Sequence, residues 1–176
     1  MKKVVILICI ISCSLLTQAN NFPKSIQKKI DKTLVKLFPN NVVEMKDMIF
    51  SGEILSFYES VKDVKVSILK SADVELGYAC FASSKGKNDY FDYMVIFDQE
   101  LIIKKVVVLV YRSTYGGEIM SRSWLKQFIG KSKGVAMEID KDIDSISGAT
   151  LSAPSITKGV NDLSLFIATI KASDNN

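Results

Sequence analysis

Tyr90-Phe91-Asp92-Tyr93-Met94-Val95-Ile96-Phe97-Asp98-Gln99-Glu100-Leu101-Ile102-Ile103-Lys104-Lys105-Val106-Val107-Val108-Leu109-Val110-Tyr111 is the stretch that decides the fold. Its two arms, Tyr90 to Phe97 and Ile102 to Tyr111, are dense in β-branched and aromatic residues, which suit a pleated, packed surface. The connection Asp98-Gln99-Glu100 is short and polar, so the arms pair antiparallel as a hairpin. Phe91, Tyr93 and Phe97 stand at alternate positions and share one face of the sheet.

Upstream of the hairpin the same period of two continues. Val64, Val66 and Ile68 alternate with Lys65, Ser67 and Lys70, which predicts a half-buried strand. Leu76 to Ala82 reads as another strand, closed by the turn-rich Ser83-Ser84-Lys85-Gly86-Lys87-Asn88. Val42 to Tyr58 has no clear period, and Ser51-Gly52 breaks it. Before it, Pro23 opens a helix whose apolar residues are Ile26, Ile30, Leu34 and Leu37, and Pro39-Asn40-Asn41 ends it. Lys28, Lys29, Lys32 and Lys36 fall on the opposite face, as a solvated surface or as a contact for acidic lipid.

Downstream, Tyr115-Gly116-Gly117-Glu118 interrupts the sheet and starts a helix with Met120, Trp124 and Phe128 at four-residue steps, stopped by Gly130. Trp124 reads as core. A short strand is expected from Val135 to Ile139. The last element is a helix from about Ala153 to Lys171, striped by Ile156, Val160, Leu163, Ile167 and Ile170. Ser152 can cap it, and Pro154 is tolerated in its first turn, where a missing N–H costs nothing. There are no internal repeats. The expected architecture is α+β: a single antiparallel sheet with flanking helices.

The 176 residues suit one domain, residues 20–176, preceded by a leader. Met1-Lys2-Lys3 is basic, Val4 to Leu16 is almost purely apolar, and Thr17-Gln18-Ala19 puts small residues at −3 and −1 of a cleavage site. Residues 1–19 therefore read as a signal peptide, with an apolar run too short to span a membrane. Ile10-Ile11-Ser12-Cys13 offers a second route, lipidation of Cys13 and membrane anchoring. Both routes put the domain outside the cytoplasm, in the periplasm or an equivalent extracytoplasmic space.

Composition removes whole classes of chemistry. The chain has no histidine, so Ser-His-Asp and Cys-His nucleophiles are excluded. Of three cysteines, Cys9 and Cys13 lie in the leader, leaving Cys80 as a lone thiol in an apolar stretch. No intramolecular disulfide is possible, and a zinc site is disfavoured. Net charge is +4, with no basic block or stripe of the kind nucleic acid requires.

Between the expected strand at residues 135–139 and the last helix lies Asp144-Ser145-Ile146-Ser147-Gly148-Ala149-Thr150. Ser147, Gly148 and Ala149 are small, so a large group can approach the Thr150 hydroxyl. The helix that follows offers N–H groups and the positive end of its dipole to an anion. On local composition alone, the stretch reads as a capped helix start after a glycine turn.

This heptapeptide resembles the D-x-x-[S/T]-G-A-T motif of the FMN-binding domain family. That family includes the C subunit of sodium-pumping NADH:quinone oxidoreductases, the G subunit of Rnf complexes, and many small secreted proteins. The resemblance implies FMN joined through its phosphate to Thr150, with Asp144, Ser147, Gly148, Ala149 and Ser152 around that phosphate. It implies a flavin transferase that takes FMN from FAD, and a redox partner such as a membrane oxidoreductase complex. A second similarity lies in Arg112-Ser113-Thr114-Tyr115-Gly116-Gly117-Glu118-Ile119, where the family has a loop packed against the flavin. Ser113 stands where the family commonly has glutamate, and Tyr115 where it has proline. Gly116 and Gly117 still permit close backbone approach to a planar ring, Glu118 follows them, and Tyr115 can stack on the ring or belong to the core.

The function implied is an extracytoplasmic electron carrier with no catalytic residue of its own and no metal. Two alternatives stand beside it: a secreted non-redox binding module, and a noncovalent FMN-dependent reductase.

Overall fold

A computed structural model describes residues 22–50, 56, 58–132 and 136–174. The leader expected at residues 1–19 and the break at Ser51-Gly52 lie outside the described residues. The elements run α1 (Lys24–Leu37), β1 (Glu44–Asp47), β2 (Lys62–Ser71), β3 (Val74–Lys85), β4 (Tyr90–Phe97), β5 (Ile103–Val110), α2 (Arg122–Leu125) and α3 (Ser152–Asp174). The five strands form one antiparallel meander in chain order, so β1 and β5 are its edges. This is the α+β architecture with one antiparallel sheet and three flanking helices.

The period of two places Phe91, Tyr93, Val95 and Phe97 on one face of β4, where they join Val64, Val66, Tyr78, Cys80, Val106 and Val108. Helix α3 covers that face with Ile156, Val160, Leu163, Ile167 and Ile170, all buried as their spacing requires. Each such side chain is worth about 1.5–3 kcal/mol of gross transfer free energy. Gly159 lets the helix come close, since a Cβ there would collide with the Tyr93 hydroxyl and Ser84 Oγ. The opposite face carries Leu69, Ala79, Phe81, Met94 and Ile96, and Ile30 and Leu34 of α1 pack on it. Strand β2 is thus packed on both faces, with Val64 and Val66 on one and Leu69 on the other, rather than half-exposed.

Three further expectations are corrected. Strand β3 continues through Ser83-Ser84-Lys85 instead of stopping at Ala82, because tertiary partners satisfy both hydroxyls. Ser83 Oγ donates to Asp92 at 2.8 Å, and Ser84 Oγ bonds the Ser60 carbonyl at 2.9 Å and the Tyr93 hydroxyl at 3.1 Å. The single helix after Gly117 is three pieces: a 3-10 turn Gly117–Met120, α2, and a 3-10 turn Lys126–Phe128. Ser121, with φ −58° and ψ 122°, is extended and breaks the run, so Met120 is exposed while Trp124 and Phe128 are buried.

The strand expected at residues 135–139 is also absent among its described residues. Residues 136–138 are irregular, and only Ile139 forms an isolated bridge, to Ile143. Asn161 of α3 supplies the order there, accepting from Met137 N–H at 3.0 Å and donating to Met137 C=O at 2.8 Å. In the unassigned stretch Val42 to Tyr58, residues 44–47 form β1.

Candidate functional site

Three loops converge where α3 begins. The first is the β3–β4 turn around Gly86, closed by Gly86 N–H donating to Asp89 C=O at 2.8 Å. The second, residues 111–118, leaves the end of β5. The third, residues 140–151, leads into α3.

Tyr111 joins the second loop to the helix. Its hydroxyl donates to the Tyr115 carbonyl at 2.6 Å and lies 2.8 Å from Ser152 Oγ. Its ring stacks on Phe91, centroids 5.6 Å apart. Gly116 sits buried against this pair at φ +87°, and a Cβ there would lie 2.5 Å from both hydroxyl oxygens. Only glycine meets both demands, a left-handed backbone and contact with two hydroxyls. Ser152 is accordingly not the side-chain cap that its position suggests: it is the first residue of α3, buried, with its hydroxyl on Tyr111. Gly86 closes on the same point, because a Cβ there would stand 3.6 Å from Ser152 Oγ.

Glu118 bridges the second and third loops. Gly148 also has φ +87°, and a Cβ on it would lie 2.6 Å from the Glu118 carboxyl carbon. The third loop is held by its backbone: Trp124 Nε1 donates to Asp144 C=O at 2.7 Å, and Asp144 N–H donates to Gln127 Oε1 at 2.8 Å. The Asp144 side chain is exposed. Ala149 is buried and its carbonyl accepts the Ala153 N–H at 2.8 Å, so helical bonding begins at Ala149. Thr150 lies inside that opening turn and is exposed, with Ser147 and Gly148 exposed before it and Leu151 exposed after it.

Tyr115 is 61% exposed rather than part of the core, and Lys87 Nζ stands 4.9 Å from its ring centroid. Beside the start of α3 a shallow cavity of about 290 Å3 is lined by Lys62, Lys85 and Lys158 against a single acid, Glu59, with Tyr90 and Ser155. Hydrogen bonding from Lys62, then its charge and that of Lys85, holds the Tyr90 phenol below its ordinary value of 10.0. Positive charge thus lines the first turn of α3, a setting that favours a phosphate. Among described residues, the local chemistry fits the phosphate end of FMN: an exposed threonine with small neighbours, ahead of a helix whose first turn is lined by cations.

The family model described as an FMN-binding domain matches residues 86–164. Over these residues the chain is similar to an FMN-binding domain. That match spans the Gly86 turn, β4, β5, both glycine loops and the first half of α3, and leaves out Lys62 and Lys85. It supports a flavin-binding protein whose ligand is FMN. A comparison with curated proteins found no match.

The structure brings together Gly116, Glu118, Gly148 and Ser152, and places Ala149 and Thr150 at the helix start. Gly117 lies under Met120 and Tyr111. Sequence reasoning missed Tyr111, Gln127 and the lysines at positions 62, 85, 87 and 158. Tyr111 read only as the last residue of a strand, and no local spacing linked the lysines to the loop.

Proposed function

We propose that the protein is an extracytoplasmic electron carrier that holds FMN covalently, through a phosphoester to Thr150. The observation carrying this reading is the position of Thr150: an exposed hydroxyl residue two positions before a 23-residue helix, inside the stretch that matches the FMN-binding domain. Bound FMN supplies the redox chemistry, so the absence of histidine is no handicap.

The chain's own residues attach, orient and shield. Gly148 and Ser147 leave Thr150 open to a flavin transferase. The first turn of α3 directs its dipole at the phosphate, typically worth about 0.3–1 kcal/mol. Lys62, Lys85 and Lys158 add positive charge on one side. The Gly116–Tyr111–Ser152 contact fixes the second loop, which leaves Tyr115 exposed where a planar ring can stack. The leader of residues 1–19 directs export, by cleavage after Ala19 or lipidation of Cys13, and outside the cytoplasm a covalent tether keeps the cofactor from being lost.

Co-expression with a flavin transferase tests the reading. The expected product is heavier by one FMN less water and fluoresces after denaturing electrophoresis, and Thr150→Ala abolishes both signals. A label retained by Thr150→Ala, or a protein of unmodified mass from its own host, refutes the assignment. Flavin released by acid precipitation would mark noncovalent binding instead.

A further inference from the structure

Away from this site, a groove of about 440 Å3 runs between α1 and the edge strand β5. Its walls carry Lys29, Lys32 and Lys36 from α1, Lys105 from β5, and Arg122 from α2, and no acidic residue lines it. Among the described residues none of these five cations has an ion-pair partner. Between them lie Leu37, Val107, Met120 and Leu125, so the floor is apolar.

A single amphipathic helix with a solvated lysine face needs no explanation. Here two further elements turn cations toward the same space, which costs repulsion. Lys29 records that cost: its Nζ donates to the Val108 carbonyl at 2.6 Å, and desolvation, with the charge of Arg122, lowers its pKa from the ordinary value. A concave, uniformly positive wall over an apolar floor is complementary to an acidic chain carrying some apolar side chains. Lys29, Lys32 and Lys36 span about 10 Å along the helix axis at 1.5 Å per residue. Carboxylates on one face of an extended chain repeat about every 6.6–6.8 Å, so two fit opposite that row. A flat anionic membrane matches a convex lysine face better than a recess walled by a strand edge.

We infer that this groove is a docking site for an acidic, extended polypeptide segment of a partner protein, lying along β5. The site stands whether or not Thr150 carries flavin, and the test uses unflavinylated protein.

A fluorescein-labelled decapeptide of alternating glutamate and valine is titrated with the purified protein, and binding is read by anisotropy. Micromolar binding at low salt is expected, weakening at least about tenfold in Lys32→Glu/Lys36→Glu and at 0.3 M salt. The control Lys24→Glu/Lys28→Glu changes net charge equally on exposed positions of α1 outside the groove, and should weaken binding less than about threefold. All four lysines are exposed, so unfolding temperatures should match wild type and certify the fold. The inference is overturned by absence of peptide binding, by a control that weakens binding as much as the groove variant, or by unchanged binding in the groove variant. It is equally overturned if phosphatidylglycerol vesicles bind the protein through Lys32 and Lys36 while the peptide does not.

Discussion

Replacing Gly116 by alanine tests the geometry that joins the second loop to α3. The new Cβ sits on a backbone at φ +87°, where an L-residue is disfavoured by about 1–2 kcal/mol. It also meets Tyr111 Oη and Ser152 Oγ at 2.5 Å, and neither is the loose end of an exposed chain: Ser152 is buried and Tyr111 is stacked on Phe91. Parting these atoms weakens the Tyr111–Ser152 and Tyr111–Tyr115 hydrogen bonds, each worth about 0.5–1.5 kcal/mol. The sum is about 3 kcal/mol, or roughly 6–12 °C in a chain of this size. Thermal unfolding followed by circular dichroism measures it. In a Tyr111→Phe/Ser152→Ala background both obstructing oxygens are gone, and the same alanine should cost only the backbone share of about 1 kcal/mol. A fall under about 2 °C in the single variant, or an equal cost in both backgrounds, would refute the contact.

Gly148→Ala should cost about 1 kcal/mol, the same with Glu118 present or truncated to alanine, because an exposed carboxylate swings aside and φ +87° remains; paired unfolding curves decide this. With Cys9 and Cys13 replaced by serine, Cys80 should resist a thiol reagent in the native state at pH 8–9 and react at once in denaturant, since complete burial raises its pKa. Tyr90 should titrate below its ordinary value of 10.0 by ultraviolet absorbance, and Lys62→Met should move that titration upward. Because the folded phenol is held low, the Tyr90–Lys62 attraction appears as pH rises through the lowered Tyr90 pKa. It is lost again as pH passes the raised pKa of Lys62, so the methionine variant should show its deficit only within that alkaline window.

The hairpin and the terminal helix were legible because long periodic runs bury themselves the same way in any context. The Phe91–Tyr93–Phe97 face and the stripe from Ile156 to Ile170 needed no tertiary information. Ser83 and Ser84 misled because hydroxyls signal a turn unless a distant acceptor exists, and Asp92, Tyr93 and Ser60 supply theirs. Ser152 looked like a cap for the same reason; its partner, Tyr111, lies 41 residues earlier. The Met120–Trp124–Phe128 spacing is helical, yet one extended residue, Ser121, turns Met120 outward. Around Thr150 the small residues were visible in the heptapeptide, whereas the lysines that line the cavity beside α3 come from β2, β3 and α3, which no local window contains.

The bond from the indole of Trp124 to the first residue of the heptapeptide has a spectroscopic use. This is the chain's one tryptophan, so its emission belongs to a single known address. Flavin absorbs where indole emits, and loading should therefore dim that emission by energy transfer, giving a real-time optical gauge of how much of a preparation carries cofactor without any added dye.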